Sequence, residues 1–292
     1  MLRLTVNIIV LISLFNVAAS LNLSQPIKVK TSNIPKPSQI EDQDRIIGGY
    51  NASIEDFTHQ VGLYTVQEKK NNNAFFCGGS IISHRFILTA AHCRKASEHY
   101  EIVIRAGSSR IKQGTIIYVN KENFIIHPEY NHNTADKDVG LIRTEKPMKF
   151  TKYIWPIKLP RKGMPLKAGS IFTVSGWGMF APNHYEVSKD LMAVQLPVID
   201  SETCWTANHL PVIDNMWCGG ALGSKGICLG DSGGAAIQGR LQIGIVSWFV
   251  PPCGSPNRPD GFTYIAAKNI AATIIYLARE KWGPLIRKMQ LL

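Results

Sequence analysis

Many short strands, compatible with an all-β fold class, are what the patterning of this sequence suggests. Short apolar runs alternate with turn signals along most of the chain. Gly (24) and Pro (16) are plentiful and punctuate those runs. No internal repeat or low-complexity tract interrupts the pattern. With 292 residues, 45% of them hydrophobic, the chain can build one large core or two smaller ones.

The N-terminus carries a targeting pattern. Arg3 supplies a positive start, Val6 to Phe15 is mostly apolar apart from Asn7, and Ala18-Ala19-Ser20 offers small residues for cleavage. Residues 1–20 read as a signal peptide, and the protein as secreted and extracellular. The alternative is an uncleaved signal anchor, for which the apolar stretch is short. No later segment is long and apolar enough to span a membrane. Secretion permits disulfides, and six cysteines is an even number. Asn22-Leu23-Ser24 and Asn51-Ala52-Ser53 are acceptor sequons, weakly consistent with that route. The net charge of +11 reads first as a soluble basic surface, and secondly as attraction to acidic glycans or other anionic surfaces. Lys69-Lys70-Asn71-Asn72-Asn73 reads as an exposed loop. There is no zinc-ligand spacing and no nucleic-acid motif, so neither a metal nor a nucleic-acid partner is expected, and no cofactor.

Residues 21–45 contain Pro26, Pro35, Pro37 and polar residues with little to pack. Asp44-Arg45-Ile46-Ile47-Gly48-Gly49 follows, and the abrupt change suggests a cut after Arg45, which makes 21–45 an activation propeptide. A new ammonium at Ile46 sits on a small apolar head that can insert into the protein. Once buried it needs a carboxylate partner, and Asp231 is the candidate. Gly230-Asp231-Ser232-Gly233-Gly234 places a hydroxyl between glycines beside that carboxylate, and Thr89-Ala90-Ala91-His92-Cys93 supplies a histidine. A serine hydroxyl becomes a useful nucleophile when a histidine takes its proton and donors wait for the oxyanion. Flanking glycines let the backbone bend tightly. Taken singly, the first motif is also a Gly-rich turn with a solvated serine, and His92 is also a core histidine.

Five motifs in order carry a resemblance: Ile46-Ile47-Gly48-Gly49, Leu88-Thr89-Ala90-Ala91-His92-Cys93, Asp138-Val139-Gly140-Leu141-Ile142, Ser175-Gly176-Trp177-Gly178 and Gly230-Asp231-Ser232-Gly233-Gly234. From Ile46 to about Leu277 the chain resembles the trypsin/chymotrypsin family of serine endopeptidases, made as zymogens. The resemblance implies an all-β fold of two antiparallel six-stranded β-barrels packed face to face, with a C-terminal α-helix. The protease domain is then 46–292, with a first barrel over about 46–160, a second over about 161–267, and a helix and tail over about 268–292. It implies that Ser232 attacks the scissile carbonyl, His92 moves the proton and Asp138 orients the imidazole. Asp136, two residues earlier, reads as a loop acid. The backbone N–H groups of Gly230 and Ser232 are the implied oxyanion donors. The implied disulfides are Cys77–Cys93, Cys204–Cys218 and Cys228–Cys253. Protein or peptide substrates, an activating trypsin-like protease and protein inhibitors are the implied partners.

Specificity is where the chain departs from that family. The acid that trypsins carry six residues before the nucleophile is Gly226 here. Asp260 falls where many relatives have a pocket-wall glycine, either entering the pocket or turned into polar backbone. Ser247-Trp248 matches the strand that pairs with substrate, but the next residue is Phe249 rather than glycine. Three outcomes follow for Phe249: a preference for small residues, a broad pocket with Phe249 displaced, or an occluded pocket that opens on binding. No acid pair lies between Ala106 and Lys121, so no calcium is expected. Lys268 to Arg279 has helical composition, and Leu285 to Leu292 reads as a surface tail, with membrane or partner binding as the alternative. The alternative function is a weak or inactive homologue acting as a binding or regulatory module.

Overall fold

The computed structural model describes residues 48–67, 72–179, 186–209, 213–220 and 225–280. The leader, the segment 21–45 with Arg45, Ile46, Lys69-Lys70 and the tail Leu285 to Leu292 lie outside them. In chain order the strands are β1 (Tyr50–Asn51), β2 (Gln60–Gln67), β3 (Asn72–Ile81), β4 (Phe86–Thr89), β5 (Glu101–Ala106), β6 (Thr115–Val119), β7 (Phe124–Ile126), β8 (Gly140–Arg143), β9 (Ile171–Gly176), β10 (Met192–Ile199), β11 (Met216–Gly219), β12 (Ala235–Gln238), β13 (Leu241–Trp248) and β14 (Asp260–Tyr264). The helices are α1 (His92–Ala96), α2 (Ser201–Asn208) and α3 (Lys268–Glu280).

These strands form two antiparallel sheets. The C-terminal one runs β10-β11-β14-β13-β12-β9 and closes through a β10–β9 ladder, from Met192 opposite Gly176 to Pro197 opposite Ile171. It is a six-stranded barrel. The N-terminal sheet runs β6-β5-β2-β3-β4-β8-β7 and curls into a half-barrel. Its two end strands are successive parts of one segment, bent at the 3-10 turn Lys121–Asn123. Asn120 fixes that bend by accepting a bond from the Glu122 N–H at 2.8 Å. One expected strand is therefore split in two, which gives seven. β1 also crosses over: Tyr50 pairs with Ala193 of β10, so the range 46–160 lends one strand to the second barrel.

Alternation along the strands builds the two interiors. β5 buries Ile102 and Ile104, and β6 exposes Ile116 and Tyr118 while burying Ile117 and Val119. Val61, Leu63, Ile81, Ile87, Leu88, Leu141 and Ile142 complete the first core. α3 adds Ile270, Ile274, Leu277 and Ala278 to the same cluster, one apolar stripe at helical spacing. No described helix is long and apolar enough to cross a membrane. The second core centres on three rings. Trp217 stacks on Phe262 with centroids 4.6 Å apart, and Phe172 meets both edge-on at 4.7 and 5.1 Å.

Where the sheets meet, buried polar side chains pair across the seam. Ser175 Oγ donates to Gln60 Oε1 at 2.8 Å, and Ser80 Oγ to Gln242 Oε1 at 2.6 Å. Three disulfides, Cys77–Cys93, Cys204–Cys218 and Cys228–Cys253, close loops with separations of 16, 14 and 25 residues. Loops of that size restrict the unfolded chain by about 3 kcal/mol each.

Phe262 is fully buried between Trp217 and Phe172. Phe262→Ala is expected to lower the unfolding free energy by about 3–5 kcal/mol. Urea unfolding in a Ser232→Ala background, which removes self-digestion, measures it.

Candidate active site

Asp138 lies on the loop that feeds β8, and its carboxylate is fully buried. An ionised carboxylate there needs donors on every side. Oδ1 accepts the His92 backbone N–H at 2.9 Å. Oδ2 accepts the Ser247 hydroxyl at 2.6 Å and lies 2.8 Å from His92 Nδ1. A carboxylate only accepts, so in the neutral ring the hydrogen sits on Nδ1 and Nε2 is the basic nitrogen. His92 opens α1 and is about a quarter exposed, so the ring reaches the cleft while its partner stays dry. Ser247 sits at a β-bulge, where the β13–β14 register shifts between Val246 and Trp248. The bulge turns its hydroxyl toward Asp138. Sequence reasoning gave the backbone of this strand to substrate; the Ser247 hydroxyl serves the Asp138 carboxylate.

The turn around Ser232 is held by its own backbone and by the first sheet. Asp231 N–H donates to Cys228 O at 3.1 Å, and Gly234 N–H to Asp231 O at 3.0 Å. Gly233 has φ +79, and any Cβ there would collide with the Thr89 hydroxyl of β4. Glycine is required on both counts. The Ser232 carbonyl accepts the Gly78 N–H at 2.8 Å, and the Cys93 sulfur lies 3.8 Å from the same oxygen. Since Cys93 follows His92 and bonds Cys77 beside Gly78, these contacts bring Ser232 to the end of the first barrel that carries His92. Among the described residues, neither the Gly230 nor the Ser232 amide has a backbone acceptor.

Asp231 points the other way, into the protein. Its oxygens accept from Gly178 N–H at 2.9 Å and Cys228 N–H at 3.0 Å. Gly178 has no room for more, because a Cβ there would lie 2.5 Å from the carboxylate. Burial pushes Asp231 up to about 6, against the pull of those two backbone bonds. Its expected partner, Ile46, lies outside the described residues.

Upstream of Ser232, the chain at Gly226 and Ile227 packs against Asp260 of β14 and against Gly254, next to the Cys228–Cys253 bridge. Asp260 is buried there, with Oδ2 accepting the Ile227 N–H at 2.9 Å and lying 2.6 Å from where a side chain on Gly226 would begin. The carboxylate therefore fills the space vacated by Gly226. Burial pushes it up to about 8; the Ile227 bond opposes this and the Asp231 charge adds to it. Phe249 is half-buried, against the Cys228–Cys253 bridge. Trp248 lies flat over Gly261, where any Cβ would meet its ring.

Two further residues carry no signal in the sequence. Thr263 Oγ1 donates to the Asp138 carbonyl at 2.8 Å, and Asn215 bonds the chain at Asp136 and Lys137. Asp136 is no bare loop acid: it pairs with Lys137 Nζ at 3.0 Å. Cys77, His92 and Cys93 cluster closely enough to suggest metal ligands, but the two sulfurs are bonded to each other and offer no thiolate.

A buried carboxylate holding an imidazole, a glycine-flanked serine and two barrels framing them define a serine protease of the two-barrel class. Comparison with known proteins agrees. The family described as Trypsin matches residues 46–272. Trypsin 5G1 of Aedes aegypti is 35% identical over 227 residues, 76% of this chain and 82% of that protein. Trypsin of Sus scrofa is 33% identical over 229 residues, 77% of this chain and 93% of that protein. Among solved structures, neuropsin, a serine protease expressed in the limbic system of mouse brain, superposes with a TM-score of 0.69 at 25% identity, covering 79% of this chain and 99% of that one. The chain belongs to the trypsin family and is a serine endopeptidase, a hydrolase.

Gly233→Ala forces a side chain into positive φ and into Thr89. It is expected to destabilise the protein by at least about 1–3 kcal/mol, read as a lowered thermal midpoint.

Proposed function

We propose that the protein is a secreted endopeptidase, cut after Arg45 to become active, that hydrolyses peptide bonds through an acyl-enzyme on Ser232. His92 Nε2 takes the Ser232 proton as Oγ attacks the scissile carbonyl, then returns it to the leaving amine. Asp138 keeps the ring hydrogen on Nδ1 and stabilises the imidazolium that forms. The amides of Gly230 and Ser232 receive the oxyanion. Ile46, once freed, pairs its ammonium with Asp231, the residue next to the nucleophile. The observation that carries this reading is the pair of bonds from Asp138 to His92, one to the backbone and one to the ring, which fix the imidazole from both ends. After limited trypsin cleavage at Arg45, an organophosphorus probe is expected to label the wild type and not Ser232→Ala, as followed by intact mass. Absence of label on both would return the protein to the class of binding homologues.

The substrate reading rests on Asp260. With the Asp260 carboxylate lying where a side chain on Gly226 would be, it is the acid that a basic side chain would meet, and Phe249 on the bridge narrows the approach. A cation beside Asp260 favours the ionised carboxylate. Below about 8, binding must displace the Asp260 proton. Affinity for benzamidine, an aryl amidinium, is therefore expected to rise with pH by up to about tenfold per unit and to level off above about 8. Asp260→Asn should flatten that dependence. Inhibition constants measured across the range on the cleaved enzyme check it, and an equally steep profile in the variant would remove Asp260 from the binding site.

A further inference from the structure

The segment carrying Asp138 has an unusual backbone. Ala135 and Lys137 both adopt the left-handed region, with φ of 54 and 57, which side-chain-bearing residues avoid. Such a conformation persists only where its surroundings over-determine it. The surroundings here come from the other barrel. Two adjacent strands, β14 and β13, and the residue that leads into β11 each direct one side chain onto residues 136–138. Ser247 on β13 reaches the Asp138 carboxylate, and Thr263 on β14 its carbonyl. Asn215, immediately before β11, makes two bonds. Its Nδ2 donates to Asp136 Oδ1 at 2.6 Å, and its Oδ1 accepts the Lys137 N–H at 3.2 Å.

Asn215 is itself rigid. It is buried, and its carbonyl accepts the Tyr264 N–H at 2.7 Å. Lys137 completes the cluster by pairing with Asp136 at 3.0 Å and Glu129 at 3.2 Å. Burial works to raise Asp136, yet the bonds from Asn215 and Lys137 hold it below the ordinary value, so it stays an acceptor. The left-handed turn at Lys137 is thus fastened on both sides, one residue before Asp138.

We propose that Asn215 is a positioning residue of the active site: by clamping Asp136 and Lys137 across the inter-barrel seam, it sets the Asp138 carboxylate against His92. The inference rests on the reading of Asp138 given above. It makes a specific chemical demand. One partner must donate from position 215 or 136, and the other must accept, while position 215 must also accept from Lys137 N–H.

A double-mutant cycle on the cleaved full chain tests it, with an uncharged peptide anilide as substrate. Asn215→Asp sets two carboxylates across a 2.6 Å contact. It is expected to lower kcat by roughly tenfold or more, with KM within about twofold, and to move the acid limb of the kcat/KM profile to lower pH. Adding Asp136→Asn reverses the bond, since the new amide at 136 donates and the carboxylate at 215 accepts from both neighbours. The swapped pair should regain wild-type kcat and pH profile. Wild-type kinetics in Asn215→Asp would overturn the clamp, and so would a swapped pair that folds but stays slow. Should Asn215→Asp not fold, the swapped pair alone decides, and its own failure to fold also counts against the clamp. A wild type that neither turns over nor takes the organophosphorus label overturns the Asp138 reading and the clamp with it.

Discussion

The Asp138 carboxylate is the point at which the two barrels become one machine. It belongs to the first barrel by sequence, yet one of its three donors, the Ser247 hydroxyl, comes from the second, and its carbonyl is held by Thr263 of the second as well. A carboxylate buried this completely would be costly if any of these donors moved away. The barrels therefore cannot slide or rotate against each other without exposing or orphaning it. His92 inherits that rigidity through two bonds to the same group. Ser232 is set from the opposite direction, by a backbone bond to Gly78 and by the Cys77–Cys93 bridge. Ser232 is thus built on one barrel and positioned by the other, and the same is true of Asp138.

Small residues make this interlock sterically feasible. The turn through Ser232 passes so close to β4 that only glycine fits at position 233, and Asp231 is packed so tightly that position 178 must be glycine too. What looks in the sequence like a flexible Gly-rich stretch is a place of unusually close backbone approach. The chain at Gly226 shows the reverse. Gly226 leaves a gap, and the carboxylate of Asp260, from a different strand, moves into it.

Much of this was legible from the chain. The five motifs specify the class of fold and the three groups His92, Asp138 and Ser232, because each motif combines residues that must be adjacent in sequence to do their work. The rest depends on residues that meet only after folding. Nothing about Ser247 announces that its hydroxyl will meet the Asp138 carboxylate at a β-bulge. Asn215, in the turn before β11, and Thr263, on β14, are ordinary polar residues until the seam forms. The bend at Asn120 and the crossing of β1 also escaped, since they are set by local capping and by partner choice rather than by apolar periodicity.

That crossing of β1 sets a leash. Tyr50 is fastened to β10, in the barrel that carries Asp231, and Ile46 lies four residues before it. Four residues of extended chain reach about 14 Å at most. A chain end released at Ile46 is confined to a small sphere anchored on the barrel it is proposed to enter, and it meets its binding place at a high local concentration however dilute the protein is. For the proposed cut after Arg45, such a tether would make the conversion a first-order event within one molecule. A cut placed many residues further upstream would lose that advantage, because the new end would then explore a much larger volume.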